Sequence, residues 1–481
     1  MMVRKPLKKV WKRGGYVAAV LALLSGAALL GFQLGVDITL VTAASFPALS
    51  LRNVQRVLIL APHPDDETLA AGGLILAARQ AGIQVRVVLA TNGDGSRSTA
   101  LAYWHAVRPS GQDYLQMGDQ RQQESLAALK ILGVSADQVD FLGYPDQGTP
   151  SLWTNHWSTS SPYTSRFTKE THSVYPMTYD RRADYSGQDY LADLTAIIDA
   201  YRPDLIVYPH PEDTHPDHWG MNVFTRLALA RIEQSDPSYR PRQYTYLVHR
   251  HDYPVQLGYM PDADLVPPAA LYATSKSWVR LDLTPRHVQV KYSAIQQYRS
   301  QLPTLRNLME SFDRSNELFA PVVDAQLSTA TVGNPLDPAT WTETSGEHLA
   351  PIQLDPVHDI LPRTAVPSSD LVAVYAAGGP ANTLWLCVKA NAPTIDDIIY
   401  VIHLKALTGR GVTDYIAQSN RAVKDESKAF LSSSYACSQV NLPDLGNPYA
   451  VYIGAETEDH LGIMIDQTAW QMVWINPARR P

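Results

Sequence analysis

The sequence predicts an α/β fold: a Rossmann-like, mostly parallel sheet sandwiched by helices, followed by a C-terminal all-β sandwich. Three observations carry this expectation. Short apolar runs alternate with segments of helical spacing between residues 54 and 233, the pattern of strand–helix–strand units. Four of those runs are each followed by a cluster of polar residues. From residue 370 onward, six or seven β-rich runs recur with turn residues between them, as in an antiparallel sandwich.

In chain order, residues 54–60 (VQRVLIL) read as a buried strand, 68–81 as a helix and 84–90 as a second strand. Residues 119–132 have helical spacing and stop at Gly133. Short strands are expected at 139–142 and 205–208, and another possible strand at 244–248; helices are expected at 188–201 and 217–233. The clusters after the strands are 63–67 (HPDDE), 91–95 (TNGDG), 144–148 (YPDQG) and 210–218 (HPEDTHPDH). In an open parallel sheet these gather at the carboxyl edge, where such sheets bind ligands. Two long loops, 96–118 and 149–187, are expected to overhang that edge. Their aromatics, including Tyr103, Trp104, Tyr114, Trp153, Trp157, Tyr163, Phe167, Tyr175, Tyr179 and Tyr185, either stack on a ligand or pack the loops down.

Composition narrows the function. Hydrophobic residues are 45% of the 481 and charged residues 18%, enough for a sizeable core and too apolar for bulk disorder. The two cysteines, Cys387 and Cys437, exclude a cysteine-rich zinc module or an iron–sulfur protein. Any metal must then be held by His, Asp and Glu. The net charge is −7, and six of the 40 basic groups sit in residues 1–15 without one acid. The rest is more acidic still, which argues against nucleic acid as a partner. No G-x-S-x-G, H-E-x-x-H or G-x-x-x-x-G-K-[ST] motif is present.

The basic N-terminal cluster precedes 21 uncharged residues, 16–36, ended by Asp37. About 20 apolar residues span a bilayer, and the positive-inside rule places the body outside the cytoplasm. The run reads as an uncleaved anchor or as a cleaved signal peptide. The apolar part of a signal peptide is usually about 7–15 residues, so length favours the anchor. The expected location is the cell membrane, single-pass with an extracytoplasmic body, or secretion if the segment is cleaved. Export permits a Cys387–Cys437 disulfide. The expected organisation is 1–37 basic segment and anchor, 50–317 the α/β domain, 318–367 a linker, and 368–481 the β-sandwich. The sandwich either binds glycan, with Trp385, Trp470 or Trp474 as platforms, or is a scaffold with those residues in its core.

His63-Pro64-Asp65-Asp66-Glu67 at a strand-to-helix turn, with His210 to His218 far downstream, supplies the imidazoles and carboxylates suited to Zn²⁺ without cysteine. Alone, Asp65 or Asp66 would read as a helix N-cap and Glu67 as a complement to the helix dipole. His210, Glu212, Asp213, His249 and His251 receive no definite role.

Ala61-Pro-His-Pro-Asp-Asp-Glu67 with His215-Pro-Asp-His218 resembles the PIG-L/LmbE-like zinc-dependent N-acetylglucosamine de-N-acetylases. Thr91-Asn-Gly-Asp-Gly95, Arg121-x-x-Glu124, Phe141-Leu-Gly-Tyr-Pro-Asp146 and Lys291 to Gln301 agree with it. The resemblance covers about residues 54–302 and leaves 320–481 unexplained. It implies His63, Asp66 and His218 as zinc ligands, with Co²⁺, Mn²⁺ or Fe²⁺ as possible substitutes. It implies Asp65 as the general base acting on the attacking water. His215, protonated and oriented by Asp217, would stabilise the oxyanion. Arg121 and Asp146 would bind sugar hydroxyls; otherwise Arg121 pairs with Glu124 and Asp146 forms a turn. The expected function is removal of N-acetyl groups from GlcNAc-type units of an exported or surface polysaccharide. The alternatives are a small or lipid-linked GlcNAc glycoconjugate as substrate, or a non-catalytic glycan-binding protein on the same scaffold.

Overall fold

Strand β1 (Arg56–Ala61) is an aliphatic run buried after its first residue. Only the centre of a sheet covered on both faces buries such a run, and β1 takes that place. The computed structural model describes residues 45–104, 107–274, 277–331, 350–356, 366–419 and 429–475. The apolar run at 16–36, with both readings of it, lies outside the described residues. Among the described residues no helix is long and apolar enough to cross a membrane.

After β1 come helix α1 (Asp66–Gln80), β2 (Gln84–Thr91), α2 (Arg97–Trp104), α3 (Gly111–Ile131) and β3 (Val139–Tyr144). Then follow α4 (Thr149–Thr154), α5 (Gly187–Tyr201), β4 (Leu205–Pro209), α6 (Pro216–Ser235) and β5 (Arg242–Tyr246). The first region closes with α7 (Ala269–Thr274), β6 (Val279–Asp282), α8 (Pro285–Ile295), α9 (Leu302–Glu310) and β7 (Asn316–Pro321). The strand order is β3-β2-β1-β4-β5-β7-β6. Strands β1 to β5 pair in parallel, and β7 and β6 add antiparallel edges. Helices α1, α3 and α8 pack together, as do α4, α5 and α6. The chain runs outward from β1 through β2 to β3, then returns to β4 on the other side. The carboxyl ends of β1 and β4 therefore flank the switch point, the place where such sheets hold ligands.

The two overhanging loops are less irregular than expected. Helix α2 and the first turns of α3 fill most of 96–118, and α4 opens 149–187. Ser110 caps α3 with a reciprocal bond to Asp113, a signal that marks the true helix start. Tyr114, Trp153, Tyr175 and Tyr185 are buried, so these aromatics pack the loops down.

Asp193 on α5 accepts a hydrogen bond from the Tyr144 hydroxyl at 2.8 Å. Burial pushes its carboxyl up to about 7. Its unfolded value is ~3.9, so the folded state holds the proton more tightly. The stability this contributes is full below about pH 4 and is lost as pH rises through about 7. Asp193→Asn is expected to flatten the fall in Tm between about pH 5 and 8, read by thermal melts.

The C-terminal region is made of two six-stranded, mainly antiparallel sheets. Its strands are β8 (Ala325–Gln326), β9 (Ser328–Thr331), β10 (Gln353–Leu354), β11 (Leu371–Gly379), β12 (Thr383–Ala390) and β13 (Ile399–Thr408). They continue with β14 (Gly411–Ser419), β15 (Ala429–Ser432), β16 (Tyr435–Asn441), β17 (Ala450–Glu458), β18 (Met464–Gln467) and β19 (Gln471–Trp474). Leu384 and Leu386 of one sheet share a buried core with Ile402, Leu404 and Ile453 of the other. The span 318–367, expected as a linker, holds the short strands β8, β9 and β10 among its described residues. It completes β7, which lies between β5 and β6 in the first sheet, and β8 and β9 then join one sandwich sheet each.

Cys387 and Cys437 are paired across β12 and β16. Their sequence separation of 50 makes the cross-link a substantial restraint on the unfolded chain. The double Cys→Ala variant is expected to lose about 2–4 kcal/mol in denaturant melts. Trp385, Trp470 and Trp474 are 7%, 8% and 6% exposed, so they pack rather than stand out as platforms.

The two regions share one core. Trp153 of α4 meets Trp470 edge-on at 5.5 Å and Tyr452 at 5.9 Å. Asp324 receives Arg226 from α6 and the Trp474 indole N–H at 3.0 Å.

Candidate active site

The turn after β1 places His63 and Asp65, and the first residue of α1 is Asp66. All three are at most 5% exposed. The turn after β4 and the start of α6 bring His215, Asp217 and His218 to the same edge. Pro216 suits this helix start, since its missing N–H lies where no intrahelical partner exists.

Asp66 is fully buried. Its Oδ2 lies 3.1 Å from His63 Nδ1 and 3.0 Å from His218 Nε2. On the far side of His218, Nδ1 is 3.0 Å from Asp213 Oδ2. Asp213 is itself held by the backbone N–H groups of Val248 and His249, at 3.0 and 2.9 Å. A carboxylate behind an imidazole fixes its orientation and strengthens it as a ligand. His249, which follows β5, comes within 3.8 Å of Asp66 Oδ1. His63, Asp66, His218 and His249 offer ligand atoms that all lie within 4.8 Å of one another.

The donor set fits a divalent transition ion. Asp66 Oδ1 is buried without a hydrogen-bond partner, and neither His218 nitrogen makes a well-formed hydrogen bond. Burial disfavours the imidazolium of His218, but Asp213 and Asp66 outweigh it and raise the pKa to about 9. Burial likewise opposes protonation of His63, and Asp217 and Asp66 reverse it, holding the ring well above its ordinary value. The acids that attract those protons equally favour a bound cation.

Asp65 sits beside this cluster in an uncommon conformation. Its φ is 139°, a region non-glycine residues rarely adopt and which persists only under restraint. The restraints are visible. Its N–H donates to Glu67 Oε2 at 3.0 Å. Glu67, fully buried, is fixed by the hydroxyls of Ser125 and Tyr298. It is thus a buried anchor for the turn, beyond the dipole complement its position suggested. Arg121 donates to the carbonyls of Gly93 and Pro64, both at 2.8 Å, and to Asp65 Oδ2 at 3.2 Å. Gly93 has φ +64°, and a Cβ there would lie 2.0 Å from the Arg121 guanidinium. Burial pushes the Asp65 carboxyl up, Arg121 opposes it, and the result is about 7.

Three sequence expectations change in detail. Asp217 does not orient His215 with its carboxylate. Its Oδ2 lies 3.1 Å from His63 Nε2 and 4.0 Å from His215 Nδ1. Thr149 and the Gln147 N–H complete its bonding. His215 Nδ1 instead accepts the backbone N–H of Asp217 at 3.2 Å, so the neutral ring carries its proton on Nε2. Burial and the neighbouring His63 lower the His215 pKa to about 2, against the protonated form expected. Arg121 does not pair with Glu124, which bonds Ser300 instead; its guanidinium binds the Asp65 turn.

Asp146 lies 3.7 Å from His63 Nε2 and accepts the Gly95 N–H at 2.7 Å. His63, Asp65, Arg121, Asp146 and His215 line one cavity of about 360 Å³, with Phe167 on its wall. Of the unassigned residues, Asp213 and His249 join the cluster. His210 stacks on Trp278 at 5.5 Å, and Glu212 is 3.8 Å from Arg250. His249 carries no motif; its place after a parallel strand was the available signal.

Residues 58–229 match the family described as GlcNAc-PI de-N-acetylase, PIG-L. A 1D-myo-inositol 2-acetamido-2-deoxy-alpha-D-glucopyranoside deacetylase of Mycobacterium sp. (strain KMS) is 33% identical over 193 residues, 39% of this chain and 54% of that protein. The protein of the same name from Mycobacteroides abscessus is 26% identical over 302 residues, 60% of this chain and 95% of its own. The chain thus spans about half the length of the first of these relatives. Among solved structures, N,N'-diacetylchitobiose deacetylase from Pyrococcus horikoshii aligns at 18% identity with a TM-score of 0.35, over 56% of this chain and 84% of its own. The A40926 pseudoaglycone deacetylase aligns at 18% identity and TM-score 0.38, over 56% and 98%. Sequence motif, family match and relatives agree: the chain carries a PIG-L family domain over residues 58–229.

Proposed function

We propose that this chain is a metal-dependent hydrolase that removes N-acetyl groups from GlcNAc-type units of an exported or surface polysaccharide. The observation that carries this reading is Asp65. It is a buried carboxyl with a pKa of about 7, held in a restrained turn directly beside a His/Asp cluster. A general base works best with a pKa near the operating pH, and scaffolding alone would not require that restraint.

His63, Asp66 and His218 would hold the ion, with His249 as a further donor. Imidazole with carboxylate suits Zn²⁺, and Co²⁺, Mn²⁺ or Fe²⁺ accept similar sets. When bound, the ion supplies Lewis-acid polarisation and a more acidic water. Asp65 takes the proton of the attacking water and returns it to the departing amine. His215 donates from Nε2 to the developing oxyanion as a neutral imidazole. Asp217 fixes His63, Arg121 fixes Asp65, and Asp146 faces the sugar. The products are acetate and a free amino sugar.

The basic cluster and apolar run at 1–36 support export of the body, anchored in the cell membrane or secreted after cleavage. The curated relatives are named for a smaller inositol-linked sugar, so a small glycoconjugate is the second reading. Acetate release from N-acetylglucosamine oligomers of increasing length separates the two. The polysaccharide reading expects kcat/KM to grow with length; release confined to the shortest sugars would move the substrate to a small glycoconjugate. No release from any of these sugars, with metal bound, would contradict both.

A further inference from the structure

A second cavity, of about 630 Å³, opens beside the catalytic one, and His215 lines both. One wall belongs to the α/β region, with Thr154, Trp219 and Arg250; the other belongs to the C-terminal sheets, with His403, Glu456 and Trp470. Its volume falls in the range of sites that bury a ligand of drug size. We propose that this cleft holds the sugar units of the substrate that extend beyond the acetamido sugar being hydrolysed, so that the C-terminal region selects for chain length. This rests on the deacetylase reading above.

The walls are built, not incidental. Trp470 lies against Gly454, where a Cβ would come within 2.2 Å of its ring. The His403 ring stacks near-parallel to Trp470 at 5.8 Å, and its Nε2 is paired with Glu456 at 2.8 Å. The Trp153, Tyr452 and Trp470 contacts that join the regions fix the two walls relative to each other. The partly exposed His403 ring, backed by the buried Trp470 and paired with Glu456, joins a flat face to polar atoms, the chemistry that receives a pyranose ring, apolar on its faces and hydroxylated at its edge. Continuity through His215 places the next sugar of a chain at the cleft once an acetamido group is beside Asp65.

The test fills the cleft from each wall in the full chain. Thr154→Trp reports on the first region, and Met464→Trp, at a cleft-lining residue that is 46% exposed, on the second. Calorimetry would measure tetra-N-acetylchitotetraose binding, and acetate release would give KM for the tetraose and for N-acetylglucosamine. The expected result is tetraose binding weakened at least about ten-fold in both variants, with its KM raised in step and the monosaccharide KM within about two-fold. Unchanged tetraose affinity in both variants, equal losses for both sugars, or no tetraose binding by the wild-type chain would overturn the proposal. Cleft-dependent tetraose binding without acetate release from either sugar would uphold the cleft and remove the deacetylase reading instead. His403→Ala, which keeps both walls open, should weaken tetraose binding in the same direction.

Discussion

Asp65→Asn is expected to lower kcat for acetate release by about 10²–10⁴-fold, the usual contribution of a general acid–base group, while metal content stays at the wild-type level. The amide keeps the shape of the side chain and its place beside Arg121 but cannot take the water's proton. Asp65 contacts Arg121 at 3.2 Å and lies outside the clustered donor atoms of His63, Asp66, His218 and His249. Metal analysis and steady-state kinetics on one preparation check both halves. Loss of metal together with activity would make Asp65 a ligand and refute its role as base.

His218→Ala is expected to reduce bound metal and acetate release to background. It also strands two buried acids, Asp66 and Asp213, each 3.0 Å from the ring in the native protein. Removing one partner from a buried ionic cluster costs about 3–5 kcal/mol. Thermal melts of the variant should therefore fall well below those of Asp65→Asn. His218→Gln, which leaves a polar group between the acids, should recover part of the stability without the metal. Full metal content in either variant would contradict the ligand set.

The site was legible where one strand end supplied several residues at once. His63, Asp65 and Asp66 follow β1, and His215, Asp217 and His218 follow β4, so a motif and a parallel strand located each group together. What sequence spacing does not encode is pairing across the switch point. Asp217 is two residues from His215, yet its carboxylate meets His63, 154 positions away, because α6 starts with His215 as its N-cap and its first turn points the Asp217 side chain inward. Arg121 was expected to bind sugar hydroxyls or, failing that, to pair with Glu124 on its own helix. The kinked turn at Gly93, which only a glycine fits, opens the path by which it reaches Asp65 instead.

For the fold, β1, β2 and β4 were readable because a strand buried on both faces must be apolar throughout. Helix α2 and the start of α3 were missed because polar residues and Gly111 and Gly118 dilute the period. Gly118 is needed there for the close approach of Tyr175, whose hydroxyl would lie 2.2 Å from a Cβ at that position. Strands β8 and β9 are too short for any alternation to register, and their pairing partners, β19 and β11, lie far along the chain. The burial of Trp470 agrees with the scaffold reading of the β region, while its neighbours Trp153 and Tyr452, one from each region, could not be read from spacing.

The central claim is that the cluster of His63, Asp66 and His218 holds an ion on which deacetylation depends. It is tested most directly by titrating Zn²⁺ into the chelated full chain while following bound metal and acetate release from N-acetylglucosamine oligomers together. The account predicts no release from the metal-free protein, then activity rising in proportion to occupancy of one site per chain. Undiminished release from the metal-free protein would contradict it, as would a filled site that releases no acetate.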